Sequence, residues 1–211
     1  MKPPVSAPPA DGPSGVVLRS SRRAATVLTA AGDSIMAYIR SHIEELAPGD
    51  KVVFSQKGGD YVIQAVFERK NALLRTYRGE RRILAANLDT VLIIAAADPL
   101  FNTDFVDRVL AVCRFQQIRP ALVINKVDLP NARTDAEARL YRSLEVEVLQ
   151  VSALTGEGFS ALERLLSEPG LMTAALTGIS GVGKSSLLRR LIPSVQVEIG
   201  AVSRKIGQGC R

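Results

Sequence analysis

Two rhythms of hydrophobic positions divide the chain. From Gly15 to about Glu68 apolar residues come in short β-type runs: Gly15 to Leu18, Ala25 to Thr29, Ile35 to Arg40, Lys51 to Ser55 and Tyr61 to Phe67. The breaks between them, Gly32-Asp33, Pro48-Gly49-Asp50 and Gly58-Gly59-Asp60, supply the dihedrals of tight turns. After Arg82 longer strand and helix signals alternate. Thr90 to Ala97 is a near-continuous apolar run, as expected of a strand buried on both faces. A helix follows over Thr103 to Gln117, with Asp104 capping or charging its first turn and Phe105, Val109, Val112 and Cys113 at helical spacing on one core-facing side. Then come a strand at Ala121 to Ile124, a helix around Thr134 to Ser143, a strand at Glu147 to Val151, a helix at Phe159 to Leu166, a strand at Met172 to Thr177, and a helix from Lys184 to Leu191 that stops before Pro193.

These rhythms imply two domains of different class. Five short strands in so compact a stretch suit a small all-β barrel over residues 15–82; an OB-type barrel, whose open face commonly binds oligonucleotides, is one solution, and an SH3-like barrel gives nearly the same pattern. Strands alternating with helices over 83–211 imply an α/β domain with a parallel sheet, whose ligands bind beyond the carboxyl ends of the strands. Residues 1–14, rich in Pro, Ala and Ser, read as a flexible leader.

Charge sharpens the division. Residues 1–82 hold 13 lysines and arginines against 8 acidic residues, whereas 83–211 hold 14 against 13. A basic small domain is drawn to phosphate backbones by counterion release, although a solvated basic surface has the same composition. The cluster Arg69, Lys70, Arg75, Arg78, Arg81 and Arg82 supplies the RNA-contact candidates, with a solvated linker face as its plainer reading. Aromatic support for base stacking is thin, with Tyr38, Phe54, Tyr61 and Phe67 the candidates and some of them needed in the barrel core. No run of 18 apolar residues occurs and the N-terminus lacks the order of a secretory signal, so the expectation is a cytoplasmic chain without membrane contact. Cys113 and Cys210 stand far apart and read as free thiols.

Three short motifs carry chemistry. Gly178-Ile179-Ser180-Gly181-Val182-Gly183-Lys184-Ser185, followed by Ser186, matches the phosphate-loop pattern between an apolar strand and an amphipathic helix. Its glycines let successive N–H groups turn toward nucleotide phosphates in front of a helix N-terminus. Lys184 would neutralise the β and γ phosphates, and the Ser185 hydroxyl would bind Mg2+. Asn125-Lys126-Val127-Asp128 follows the strand ending at Ile124. Its Asp128 carboxylate can accept two hydrogen bonds from guanine, where adenine offers a lone pair and no amine. Asn125 would meet the opposite edge of the base and brace neighbouring loops, and the stem of Lys126 would cover the ring. Ser152 and Ala153, after the strand ending at Val151, are similar to the loop whose backbone N–H reaches guanine O6 in GTPases. The last two motifs are each compatible with an ordinary loop; all three at strand carboxyl ends describe one crevice.

Their order is the reverse of that in ordinary GTPases, where the phosphate loop comes first, and so describes a circular permutation. That permutation behind a β domain resembles the bacterial small-ribosomal-subunit biogenesis GTPases of the YjeQ/RsgA type. The resemblance also takes in Arg69-Lys70-Asn71 with Leu74-Arg75, Ala86-Asn87-Leu88-Asp89, and Ile199-Gly200 with Val202-Ser203. It implies an OB-fold RNA-binding domain, Mg2+ with GTP or GDP as cofactor and substrate, GTP hydrolysis stimulated by the small ribosomal subunit, contact with its rRNA, a monomer, and a role in late subunit maturation.

The family pattern runs on past Arg211 with a His-Thr-Thr switch, a D-x-x-G switch and a zinc domain. None of these lies within the 211 residues, whose one histidine is His42 in the β domain. The expectation is therefore an incomplete GTPase domain with its catalytic residues and its Zn2+ ligands missing, one that binds guanine nucleotide and hydrolyses GTP poorly. The alternatives are a non-catalytic, guanine-nucleotide-gated RNA-binding module and a permuted GTPase acting on the large subunit.

Overall fold

The computed structural model describes residues 12–43, 45–77, 79–129, 132–171 and 173–193. They fall into two compact units, one ending at Asp89 and the other beginning at Thr90. Among the described residues no helix is long and apolar enough to cross a membrane.

In the first unit β1 (Ser14–Ser20), β2 (Ala24–Thr29), β3 (Ser34–Ile39), β4 (Lys51–Lys57) and β5 (Asp60–Val66) close into a barrel in the order β1-β2-β3-β5-β4. The neighbours are antiparallel except for the parallel β3–β5 pair, and β4 returns to β1. This is the OB-type solution of the two the sequence left open. Every second residue points inward, so Val17, Ala25, Val27, Ala37, Val52, Phe54 and Ile63 fill the centre. Phe54 meets Tyr61 edge to face at 5.8 Å, which places two of the four stacking candidates in or against the core.

Residues 72–86, of which those up to 82 are expected from the sequence to belong to the barrel domain, form a separate hairpin of β6 (Ala72–Tyr77) and β7 (Glu80–Ala86). Its ends are tied to the barrel by the two junction motifs. The Asn71 side chain donates to Leu88 O and accepts from Leu88 N, both at 2.8 Å. Asn87, in a left-handed conformation at φ 55°, accepts from Lys70 N and donates to Gly49 O, each at 2.9 Å. Arg69 grips the fully buried Asp50 with two charge-assisted bonds of 2.6 and 2.7 Å and also reaches Glu45 O. Asp50 completes its set by accepting from Ala47 N at 2.8 Å.

The second unit is a parallel sheet in the order β10-β9-β8-β11, built from β8 (Thr90–Ala96), β9 (Arg119–Asn125), β10 (Glu147–Gln150) and β11 (Ala174–Thr177). β8 is buried along its whole length, as its unbroken apolar run requires. Leu92, Ile94 and Ala96 pack with Ala121 and Val123 against α3 (Phe159–Leu166) and α4 (Lys184–Leu191). α1 (Thr103–Phe115) and α2 (Ala132–Ser143) lie along β8, β9 and β10. They are joined by a Tyr141–Asp107 hydrogen bond of 2.8 Å, and Tyr141 stacks on Phe101.

Of the two roles offered for Asp104 in α1, charging the first turn holds, whereas the buried face of the helix is corrected. Its cap is Asn102, whose side chain accepts from Phe105 N at 2.8 Å, while Asp104 sits in the first turn. Its buried stripe is Val106, Leu110 and Cys113, with Val112 36% exposed and Phe105 and Val109 only half-buried. Phe105 and Val109 still follow helical spacing, but the helix is turned by one residue from the face expected. The leader up to Asp11, Arg78, Met172, Ile199-Gly200, Val202-Ser203 and Cys210 lie outside the described residues, and β1 already begins at Ser14.

Candidate nucleotide-binding site

Three loops leave the carboxyl ends of β9, β10 and β11 and converge, because parallel strands deliver all such ends to one edge of the sheet. The loop after β11 runs from Gly178 to Gly183 and feeds α4. Val182 is buried and Ile179 packs beside it in the core, so side chains anchor the loop while its backbone forms the turn. Gly183 begins the helix at φ 93°, and a Cβ there would stand 2.3 Å from Asn125 Nδ2, so the close approach of two loops demands glycine. The Lys184 amine is turned back along the loop, donating to Gly178 O and Ile179 O at 2.8 Å each. Burial lowers its pKa from the ordinary lysine value. Ser185 and Ser186 occupy the first turn of α4, where backbone N–H groups are unsatisfied within the helix.

Asn125 is the brace between loops. Almost fully buried, it donates through Nδ2 to Val182 O at 2.9 Å and accepts at Oδ1 from Ala153 N at 3.0 Å, linking all three strand ends. Lys126 adopts φ 65°, uncommon for a side chain of this size, and its amine donates to Asp98 O at 2.5 Å. Val127 N reaches Val151 O at 3.3 Å. The Asp128 carboxylate accepts from the buried Ser152 hydroxyl at 2.6 Å, and that hydroxyl accepts from Thr155 N at 3.0 Å. One carboxylate oxygen is thus held by the neighbouring loop while the carboxyl group stays solvent-accessible. Asn125, Lys126, Asp128, Ala153, Gly183 and Ser186 line a cavity of about 660 Å3, within the range that takes a small-molecule ligand.

The sequence motifs Asn125 to Asp128, Ser152-Ala153 and Gly178 to Ser186 are therefore brought together. Three contributors carried no sequence signal: Asp98, whose backbone carbonyl receives Lys126, and Arg189 and Arg190, which line the same cavity from α4. A carbonyl partner and two arginines at a helix C-terminus have no spacing that distinguishes them from ordinary surface residues. The RNA-contact candidates fare differently. Arg69 is engaged with Asp50, and Lys70 forms an ion pair with Asp89, so both serve the junction between hairpin and barrel. Arg75 lies on β6, directly opposite Arg82 on β7.

A glycine-rich strand-to-helix loop at one edge of a parallel sheet, met in space by the loops after β9 and β10 that precede it in the chain, is the arrangement of a circularly permuted GTPase domain behind an OB-like barrel. The sequence model of the RsgA GTPase family matches residues 66–211, and the chain belongs to that family. A Haemophilus influenzae (strain PittGG) protein named small ribosomal subunit biogenesis GTPase RsgA is 34% identical over 92% of this chain and 58% of its own length. The chain thus spans about three-fifths of the curated relatives it matches. The crystal structure of YjeQ from Thermotoga maritima superposes with a TM-score of 0.70 at 27% identity, covering 87% of this chain and 66% of that one. That of YloQ, a circularly permuted GTPase, superposes with a TM-score of 0.65 at 24% identity over the same shares.

Proposed function

We propose that the chain binds GTP and GDP with Mg2+ in the cavity between the three loops, hydrolyses GTP, and serves as an assembly factor in late maturation of the small ribosomal subunit, in contact with its rRNA. The observation that carries this reading is the double hydrogen bond of Asn125, which fixes the phosphate loop and both base loops around one cavity. Asp128, oriented by Ser152, faces guanine's N1–H and amine. Lys184 exchanges its two carbonyl partners for phosphate oxygens, which better match its charge. Among the described residues no three His, Cys, Asp or Glu side chains gather as a metal cluster. Mg2+, which usually keeps several waters and binds through substrate phosphates, would be held by the Ser185 hydroxyl in the first turn of α4, phosphate oxygens and water. When bound, the ion neutralises charge between the phosphates.

The barrel unit is the RNA-binding part in this reading and the unit from Thr90 the GTPase, so the division expected at 82/83 moves past the β6–β7 hairpin to 89/90. The outward residues of β1 to β3 support it better than the candidates at 69 and 70. Arg19 pairs with Thr26, which pairs with Met36, and Tyr38 pairs with Ala24 one step along. Met36, Tyr38, Leu18 and Leu28 are 67%, 48%, 48% and 38% exposed, respectively. Exposed Arg22 and Arg23 in the β1–β2 turn and Arg40 after β3 border this face. Apolar and aromatic surface edged by arginines suits unstacked bases and a phosphate backbone.

The reading is tested by equilibrium binding of GDP, GTP and ADP to the chain, and by phosphate release from GTP by the chain extended through its downstream reading frame, with and without purified small subunits. Guanine-selective binding and stimulation by small subunits are expected. Equal affinity for ADP defeats the nucleotide assignment, and a turnover unmoved by small subunits defeats the ribosomal one.

A further inference from the structure

Arg190 stands on the last turn of α4, the helix that the phosphate loop feeds, yet its side chain serves another loop. Its guanidinium donates from Nη1 to the carbonyls of Ala153 and Leu154 at 3.4 and 3.5 Å. Its central carbon sits 5.0 Å from the centroid of the Phe159 ring, a cation–π contact at the start of α3. A Cβ at Gly156, where φ is 90°, would lie 2.0 Å from Arg190 Nη2, so the guanidinium is laid directly on the loop backbone. Two carbonyls, a ring face and a bare Cα lie against one side of an exposed cation.

The consequence follows from peptide geometry. In a trans peptide the C=O and N–H point in opposite directions. Turning the Ala153 carbonyl to Arg190 therefore turns the N–H of Leu154 to the other side of the loop. The N–H of Ala153 already donates to Asn125 Oδ1. Ala153, Leu154 and Arg190 all line the cavity that Asp128 enters.

The geometry points to Arg190 as a positioning residue for base selection: it clamps the 153–156 loop so that the Leu154 N–H is aimed as a fixed donor at the oxygen on C6 of a guanine base. Asp128 reads the opposite functional groups, N1–H and the exocyclic amine, so the two devices are separable by ligand chemistry. Arg190 also ties the phosphate-loop helix to the base loop, so a shift of α4 moves the donor.

Resting as it does on the guanine-nucleotide reading of the cavity, the clamp is tested with three probes on the 211-residue chain: GDP, 6-thio-GDP, whose sulfur is a poor acceptor, and IDP, which lacks the amine. Arg190→Ala is expected to weaken GDP about tenfold and to narrow the preference for GDP over 6-thio-GDP by a similar factor. It should leave the preference for GDP over IDP unchanged. Arg190→Lys, which keeps the charge and loses the planar fork, should restore part of the first preference. These ratios do not depend on the fraction of protein folded. An Arg190→Ala chain that keeps the full preference for GDP over 6-thio-GDP overturns the clamp while leaving the nucleotide reading intact. A wild-type chain that binds none of the probes takes down both.

Discussion

At the scale of single residues, the side chains proposed to bind nucleotide have partners that are fixed before any ligand is considered. Asp128 is the clearest. Ser152 holds one of its oxygens, so Asp128→Asn keeps the shape of the site and replaces an acceptor by a donor. The variant is expected to lose GDP affinity on the order of a hundredfold and to gain affinity for xanthosine diphosphate, measured by competition binding. Unchanged GDP affinity would remove Asp128 from the base-reading role. Cys113 illustrates the opposite case, a reactive group silenced by its surroundings. It is fully buried on α1, and desolvation pushes its thiol from 9.0 up to about 11. The folded state therefore binds a proton that the unfolded chain releases between these values. The associated stability is fully present below pH 9 and is lost as pH rises toward 11. Maleimide labelling at neutral pH, with the site located by mass spectrometry, should modify Cys113 only as fast as the unit unfolds.

At the scale of elements, the junction motifs show how a functional-looking cluster is absorbed by structure. Arg69 is the charged partner of a buried carboxylate that also accepts from a backbone N–H, and removing one partner of such a pair is costly. Arg69→Ala is expected to destabilise the barrel unit by about 3 kcal/mol or more, read from urea unfolding, at unchanged nucleotide affinity. A variant that is as stable as the parent and has lost RNA affinity would return Arg69 to the interface. The same elements mark how far the sequence could be read. Helices α3 and α4 were legible to the residue, because Phe159, Leu162 and Leu165 repeat at helical spacing and Pro193 stops the chain beyond Leu191. The β6–β7 hairpin was not. Leu74 and Leu84 are exposed, Arg75 faces Arg82 across the ladder, and a bulge interrupts the register after Leu73, so the alternation that announces a half-buried strand is missing. The cap of α1 was missed for a smaller reason: Asn102 and Asp104 are both good first-turn residues, and only backbone dihedrals separate them. The convergence of the three motif loops was legible because each motif is local in sequence and sits at a strand's carboxyl end. The partners that hold them, Asp98 and Arg190, became visible only when distant segments met.

At the scale of the whole chain, two compact units with separate cores predict two unfolding events. GDP at a hundred times its dissociation constant should stabilise the 90–211 unit by about 2.7 kcal/mol and leave the barrel transition where it is. Calorimetry with and without nucleotide checks this, and Arg69→Ala should move only the other transition. A single event shifted as one by GDP would show that the units unfold together. The reversed loop order has a consequence for biosynthesis. As the chain emerges from the ribosome, β8, β9 and β10 can pair while β11 is still untranslated, so Leu92 waits for Leu176 and the Asn125 amide waits for the carbonyl of Val182. The nascent sheet can therefore collect its apolar strands early, but a nucleotide cannot bridge all three loops until α4 has been made.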